Sequence, residues 1–408
     1  MASLLTPKRE CQCCAESNGV CHGEVVVVTT SQSVEVFVRC GPTIEDGTPR
    51  EQAARFYECL PRLLERAGAK MSDVVLERVF FRNIEQDFAT FQEVRHNAYQ
   101  EAGVTGEELP GASYINQPPC VASQAFEMQV QAVLPNGDSK VIVESFPEIA
   151  PHTAKKIVHI GPHRHLYITN INGARPDGSI PSDFREQSDI MFERAVPELT
   201  AHGTTFPHVL RTWCYLNDID RDYDEFNLSR NAFFARHNVQ RLPASTGIRA
   251  GLYPPEAQCS FDLYTLLDHQ GVEIEVMHTP TLNEADEYGS SFSRGMKVVL
   301  PEKTVLYISG TASVDEYGAT VHLDDIRKQV ERMLLNVQEL LRAQNSSFTD
   351  LVQVITYLKR SSYLSTFTDV WQQWGLGSLP NSIVEAGVCR PDLLCELEAI
   401  AIIPHNGN

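Results

Sequence analysis

One pattern occurs three times in this chain and leaves little freedom for the fold. Arg50-Glu51-Gln52, Arg185-Glu186-Gln187 and Arg327-Lys328-Gln329 each lie near the start of a stretch with helical periodicity. Asp73, His208 and Asp350 follow the three glutamines by twenty-one residues each. Each of them opens an apolar, strand-like run: Val74–Phe81, Val209–Leu216 and Leu351–Leu358. Equal spacing of this kind marks a repeated supersecondary unit.

The same register extends outward. Strand-like segments precede the helices at Val34–Cys40, His165–Ile171 and Val305–Ala312. A second helical stretch follows near Phe88–Glu101, Tyr223–Arg236 and Tyr363–Trp374, and a last strand near Ala125–Leu134, Ser260–Leu267 and Leu393–Ile402. In the third unit Ile326, Val330, Met333, Leu334, Val337, Leu340 and Leu341 form one apolar stripe, so the helix packs by one side only. Helices of that kind cover one face of a sheet, which predicts an α+β class. Pro61 and Pro197 are expected to kink or end the corresponding helices of the first two units.

With short connections at Pro135–Lys140 and Asp268–Glu287, the chain divides into a Cys-rich tail (1–23) and units 24–138, 139–275 and 276–408. Composition narrows the function. A net charge of −19 disfavours nucleic acid as a partner but leaves room for a small anionic substrate held by local arginines. No apolar run reaches the ~20 residues of a membrane span, and MASLLTPKRE lacks the apolar core of a signal peptide. Eleven scattered cysteines then suggest reduced thiols and a cytoplasmic location. Cys11, Cys13, Cys14, Cys21 and His22 crowd the N-terminus, but no second paired-Cys element follows, so a tail is expected rather than a metal site.

No phosphate loop, dinucleotide fingerprint or HExxH is present, and no cofactor is expected. His163 and His165 alternate on a strand without a carboxylate or thiol to complete a ligand set. Asp218–Asp224 lacks the glycine and final glutamate of a calcium loop. The last strand carries two carboxylates among apolar residues, Glu396 and Glu398, which alternation places on one face. For Glu398 the reading is a solvated face.

EYGSSFSRG (Glu287–Gly295), VLYISGTASV (Val305–Val314), the Gln329 helix, FTDLVQVITYL (Phe348–Leu358) and CELEAIA (Cys395–Ala401) together resemble the YjgF-like (RidA) family. The second unit resembles it more weakly, and the first more weakly still. The resemblance implies three fused YjgF-like (chorismate-mutase-like) units, each a mixed sheet with helices on one face, arranged as a pseudo-trimer with clefts between units. It leaves a monomeric pseudo-trimer or a homo-oligomer open. Simple members hydrolyse enamines and imines with an Arg after a Pro ahead of the last strand. Asn381 and Ser382 stand there instead, and neither can hold a carboxylate bidentately.

Arg211–Ile219, Tyr223–Phe234, Leu242–Ile248, Ser309–Ser313 and Cys389–Glu396 are also similar to segments of the chorismatases. That resemblance implies cleavage of an enol ether of chorismate or a similar cyclic carboxylate. Glu396 falls on the catalytic acid, and Cys389 and Gly295 on two positions that steer the product, here toward 3-hydroxybenzoate. A general acid must keep its proton at neutral pH, so its carboxyl needs apolar surroundings. In the second unit the equivalent residue is Ser260, which is no acid; in the first, Glu127 and Gln129 are both candidates. Arg294 is the expected anion anchor, with Arg211, Arg230 and Tyr215 of the second unit as further substrate-binding candidates. An imine hydrolase and a non-catalytic binding protein of the same fold are the alternatives.

Overall fold

β-Branched, alternating runs form strands where the repeat places them, and the tertiary structure supplies their order. The structure is a computed structural model and describes residues 8–10, 21–42, 47–283, 291–377 and 379–405. The first unit comprises β1 (Lys8–Glu10), β2 (Cys21–Thr29), β3 (Ser33–Pro42), α1 (Pro49–Arg66), β4 (Val74–Phe81), α2 (Ile84–Glu101), β5 (Gly111–Ile115) and β6 (Phe126–Pro135). In the second come β7 (Val141–Ser145), β8 (Ala154–Ile160), β9 (His163–Asn172), α3 (Phe184–Thr200), β10 (Val209–Leu216), α4 (Ile219–Arg236), β11 (Ala244–Arg249) and β12 (Cys259–Leu266). The third holds β13 (Glu273–Val276), β14 (Gly295–Val299), β15 (Lys303–Ala312), α5 (Ile326–Arg342), β16 (Leu351–Leu358), α6 (Leu364–Gln373), β17 (Asn381–Glu385) and β18 (Cys395–Pro404).

The three six-stranded sheets share one order: β1-β2-β3-β6-β4-β5, β7-β8-β9-β12-β10-β11 and β13-β14-β15-β18-β16-β17. Strand β13 begins three residues ahead of the boundary drawn at 276. The short strands β5, β11 and β17, which pair in parallel with β4, β10 and β16, were not anticipated. At five or six residues, with small or polar side chains in most positions, they carry little periodicity to read. Pro61 and Pro197 end neither helix, since α1 runs on to Arg66 and α3 to Thr200.

The repeated glutamines have one structural purpose. Gln52, Gln187 and Gln329 are buried and each clamps the loop that leads into the last strand of its unit. The Gln329 side chain donates to the carbonyls of His322 (3.3 Å) and Asp392 (3.0 Å) and accepts from the amide of Leu394 (2.8 Å). Gln187 does the same with Pro181, Glu256 and Gln258, and Gln52 with Gly47, Ser123 and Ala125.

Each sheet turns one face to its two helices and the other toward the neighbouring units, so the inner faces meet around a pseudo-threefold axis. Edge strands close the seams. Across the seam between the second and third units, Ala244 bridges Ser293, Ser245 donates to Ser309 Oγ (2.9 Å) and Gly310 donates to Thr246 Oγ1 (3.0 Å). Bridges from Asn116 to Gly251 and from Pro119 to Val384 join the other pairs of units.

Among the described residues no helix is long and apolar enough to cross a membrane, and no group of His, Cys, Asp and Glu is arranged to hold a metal. Cys11, Cys13 and Cys14 lie outside the described residues, as do the side chains of Cys21 and His22. Six described cysteines are free thiols, whereas Cys59 is disulfide-bonded, a departure from the reduced state read from the sequence. Replacing Gln329 by Ala strips the partners from the Leu394 amide and two carbonyls, and is expected to cost about 1–3 kcal/mol. A thermal-melting comparison with the wild type measures this.

Candidate active site

Glu396 enters its strand immediately after the loop that Gln329 holds, opposite Tyr357 of β16 and Ala312 of β15. Its side chain is 4% exposed. Between Ile308 and Thr311 the β15–β18 ladder breaks into a bulge, and Gly310 sits in it. A Cβ added to Gly310 would overlap the Glu396 carboxyl and come within 3.1 Å of the Thr246 methyl. Glycine at this bulge is therefore what makes room for the acid. Among the described residues nothing forms a hydrogen bond or ion pair with the Glu396 carboxyl.

Its surroundings decide its protonation. Burial is the main force pushing the Glu396 carboxyl up to about 8, and the Glu398 charge adds to it. Arg211, Arg294 and Arg390 act in the opposite sense without overcoming burial. The carboxyl is thus neutral at pH 7, while three guanidinium groups stand ready to stabilise the carboxylate left after proton transfer.

The structure brings several expected residues together here. Cys389 feels the Glu396 charge, its thiol pushed up to about 12 mainly by burial, and it bonds to Tyr223 of α4 across the seam. Arg294 is buried, lies 5.7 Å over the Phe292 ring and donates to the Asn283 carbonyl (2.7 Å) and side chain (3.0 Å). Arg390, which donates to the Gly318 carbonyl (2.6 Å), belongs to the site although the sequence reading quoted it without assigning it a role. Thr246 and Gly310 were missed in the same way. Their signal lay in segments quoted for the resemblance, but only the bulge shows what they do.

The remaining candidates have contacts of their own. Gly295 packs against Met277 Sδ and the Tyr307 carbonyl, which would meet an added Cβ at 2.7 and 2.9 Å, so its smallness serves a close backbone approach. Arg230 is buried on α4, donates to Asn227 (2.6 Å) and lies 5.0 Å over Phe226. The largest charges acting on Glu396 are those of Glu398, Arg211, Arg294 and Arg390 instead. Tyr215 donates to Asp262 (3.3 Å) within the axial cluster. His165 is likewise a core residue, bonded to Tyr264 (2.9 Å).

Glu398 corrects the reading of a solvated face: it is 3% exposed. Its carboxylate accepts from Arg211 (2.8 Å) and from Trp213 Nε1 (2.9 Å), with Arg78 of the first unit at 3.5 Å. Fusion of the units covers the face that a lone sheet would leave in water.

Register resolves the equivalences. Phe80 pairs with Glu127, Tyr215 with Ser260 and Tyr357 with Glu396, so Glu127 and not Gln129 is the counterpart in the first unit. Cys120 precedes Glu127 by seven residues, as Cys389 precedes Glu396. Yet β3 pairs with β6 without a bulge, and Arg39 occupies the level of Gly310. Its guanidinium grips Glu127 bidentately at 3.0 and 2.8 Å. In the second unit a bulge is present, but Ser260 replaces the acid and the Asn170 amide binds Asp262 (2.7 Å). Of the three seams, one holds an unpaired buried acid.

A carboxyl neutral in the fold but ionised in the unfolded chain makes stability depend on pH. The contribution is complete below about 4.5 and is lost as pH rises to about 8, by at most about 1.4 kcal/mol per pH unit. Glu396→Gln is therefore expected to melt progressively higher than the wild type across that window and to hold its advantage above it, as thermal melting against pH would show.

Comparison with known proteins bears on this arrangement. The family model described as Endoribonuclease L-PSP matches residues 17–134 and 289–403, more than half of the chain. It covers the first and third units but not the second, which reverses the order of likeness expected for the first two. The second unit is the one that gives Arg211, Trp213 and Asp262 to the axial cluster and has lost the acid. A RutC family protein from Pyrococcus abyssi is 28% identical over 24% of this chain and 76% of its own length. The 3-hydroxybenzoate synthase of Streptomyces hygroscopicus is 24% identical over 48% of this chain and 64% of its own. A chorismatase solved at 1.08 Å superposes with a TM-score of 0.59 at 16% identity, over 92% of this chain and 99% of that one. At that identity the likeness speaks for the fold. Two of the three repeats thus carry the same family signature, and the chain belongs to the Endoribonuclease L-PSP family, the YjgF-like (RidA) proteins.

Proposed function

We propose that the protein is a chorismatase-like enzyme that cleaves the enol ether of chorismate, or of a similar cyclic carboxylate, with Glu396 as general acid. The observation that carries this reading is a buried carboxyl in one seam of three that has no hydrogen-bond or ion-pair partner among the described residues, with burial raising its pKa. The fold shared with a chorismatase and the partial likeness to a 3-hydroxybenzoate synthase support it. Protonation of the enolpyruvyl methylene carbon develops oxocarbenium character on the ether carbon. Glu396 supplies that proton, and Arg211, Arg294 and Arg390 stabilise the carboxylate it becomes. Capture by water then releases pyruvate and a diene-diol acid; capture by the neighbouring ring hydroxyl instead, followed by cleavage of that oxygen's bond to the ring with loss of the proton on the ether-bearing carbon, releases pyruvate and 3-hydroxybenzoate and consumes no net water. Cys389, pinned by Tyr223 beside the acid, is placed to bias that choice. The substrate is an anion, held by the charge of Arg294 and Arg390.

Imine hydrolysis finds less support. Asn381 and Ser382 are buried on β17, with Asn381 accepting from Thr356 (3.0 Å), and no guanidinium stands at either position.

Incubation with chorismate should release pyruvate, with the aromatic or diene-diol product identified by chromatography. Glu396→Gln should lower kcat at least 100-fold, on the order of what a positioned acid contributes. Gly310→Ala, which drives the carboxyl from its place, should show a comparable loss. No pyruvate from the wild type, or undiminished release by Glu396→Gln, refutes the reading.

A further inference from the structure

We propose that Glu398 is a positioning residue that holds the Glu396 carboxyl in its proton-bearing form against the opposing charge of Arg211. The inference rests on reading Glu396 as the proton donor and extends it to the buried pair behind it. Glu398 lies two residues further along β18 on the same face as the acid, and its own carboxylate is fixed by Arg211 (2.8 Å), Trp213 (2.9 Å) and Arg78 (3.5 Å). The same Arg211 nitrogen donates to Thr246 Oγ1 (2.6 Å), the atom that receives the Gly310 amide beside Glu396. A continuous chain of contacts therefore runs from Glu398 through Arg211 and Thr246 to the wall of the acid's niche. Two carboxyl groups on one dry face oppose each other's ionisation, and Glu398 is the one with fixed hydrogen-bond donors.

Among the described residues, the following titratable and charged groups bear on Glu396. Cys395 and Glu398 lie on its own strand, and Tyr357 is its register partner on β16. Arg294, Cys389 and Arg390 come from flanking segments of the third unit, and Arg211 from the second. Of these, Glu398 is the fixed anion. The other units lack the combination: Gln129, the counterpart of Glu398, is uncharged beside a Glu127 that Arg39 already neutralises, and Asp262 stands beside Ser260, which has no proton to manage.

The test is a pair of opposite shifts. The proton on Glu396 is read without substrate, as the protonated-carboxyl infrared band that Glu396→Gln abolishes, titrated against pH; the alkaline limb of the pH–rate profile reads it during turnover. Glu398→Gln removes the anion and should move both to lower pH by about one unit. Arg211→Gln removes the opposing cation and should move both upward, while Glu398→Asp keeps the charge and should leave them near the wild-type position. A uniform loss of rate with an unmoved band, or two shifts in the same direction, overturns the proposal. Should Glu398→Gln not fold, the Arg211→Gln band decides alone: an unmoved or lowered titration overturns it. Bands that shift as expected in a protein that releases no pyruvate would uphold this coupling and refute the proposed reaction.

Discussion

Three sheets that bury their second faces against one another withdraw the charges on those faces from bulk solvent. Every ionised group on those faces must meet a partner within the fold, because an isolated charge in such surroundings is too costly to keep. Arg78 and Arg211 answer Glu398 and Asp262, and Lys303 answers Glu35 across the first and third units. Tyrosine and tryptophan hydrogen bonds complete the set at Asp262 and Glu398. Against that background a buried carboxyl with no partner has one way to exist, which is to keep its proton. Glu396 is in that condition, and its chemical competence follows from the same desolvation that forces its neighbours into pairs.

Fusion of the three units is what permits one seam to differ from the others. In a homotrimer the residue at this level would be identical in all three clefts; here it is Arg39 on an unbroken ladder, and Asn170 and Gly310 each in a bulge. At that level Arg39 forms a bidentate ion pair with Glu127. The backbone N–H of Asn170 donates to Asp262, and Gly310 leaves a niche that the Glu396 carboxyl fills. Three local differences thus give an ion pair, a hydrogen-bonded corner and an acid on one repeated frame. The price of the fusion is that the axial cluster depends on residues from all three units.

Much of this could be read before any coordinates. The glutamine spacing identified the units because each of those side chains must reach the same three backbone groups, which fixes its place in the repeat. Strand β18 was recognisable from its alternation, and Glu396 from the resemblance. Glu398 was misread because periodicity reports that a face is polar without reporting what covers it. The short strands β5, β11 and β17 escaped notice, and with them the residues that build the seams, Thr246 above all. Gly310 is ordinary in sequence and becomes significant only when the bulge sets it against the acid.

The order of elements, the threefold repetition and the absence of an acid in the second unit were determined by the sequence alone, since each is a matter of spacing and residue type along the chain. Which glutamate of the first unit corresponds to Glu396, that Arg39 pairs with it, and that Glu398 is clamped in a dry cluster were decided by the tertiary structure. Those facts depend on register, on a bulge and on the burial of one sheet against two others. All of them join residues far apart in the chain, where local pattern carries no information.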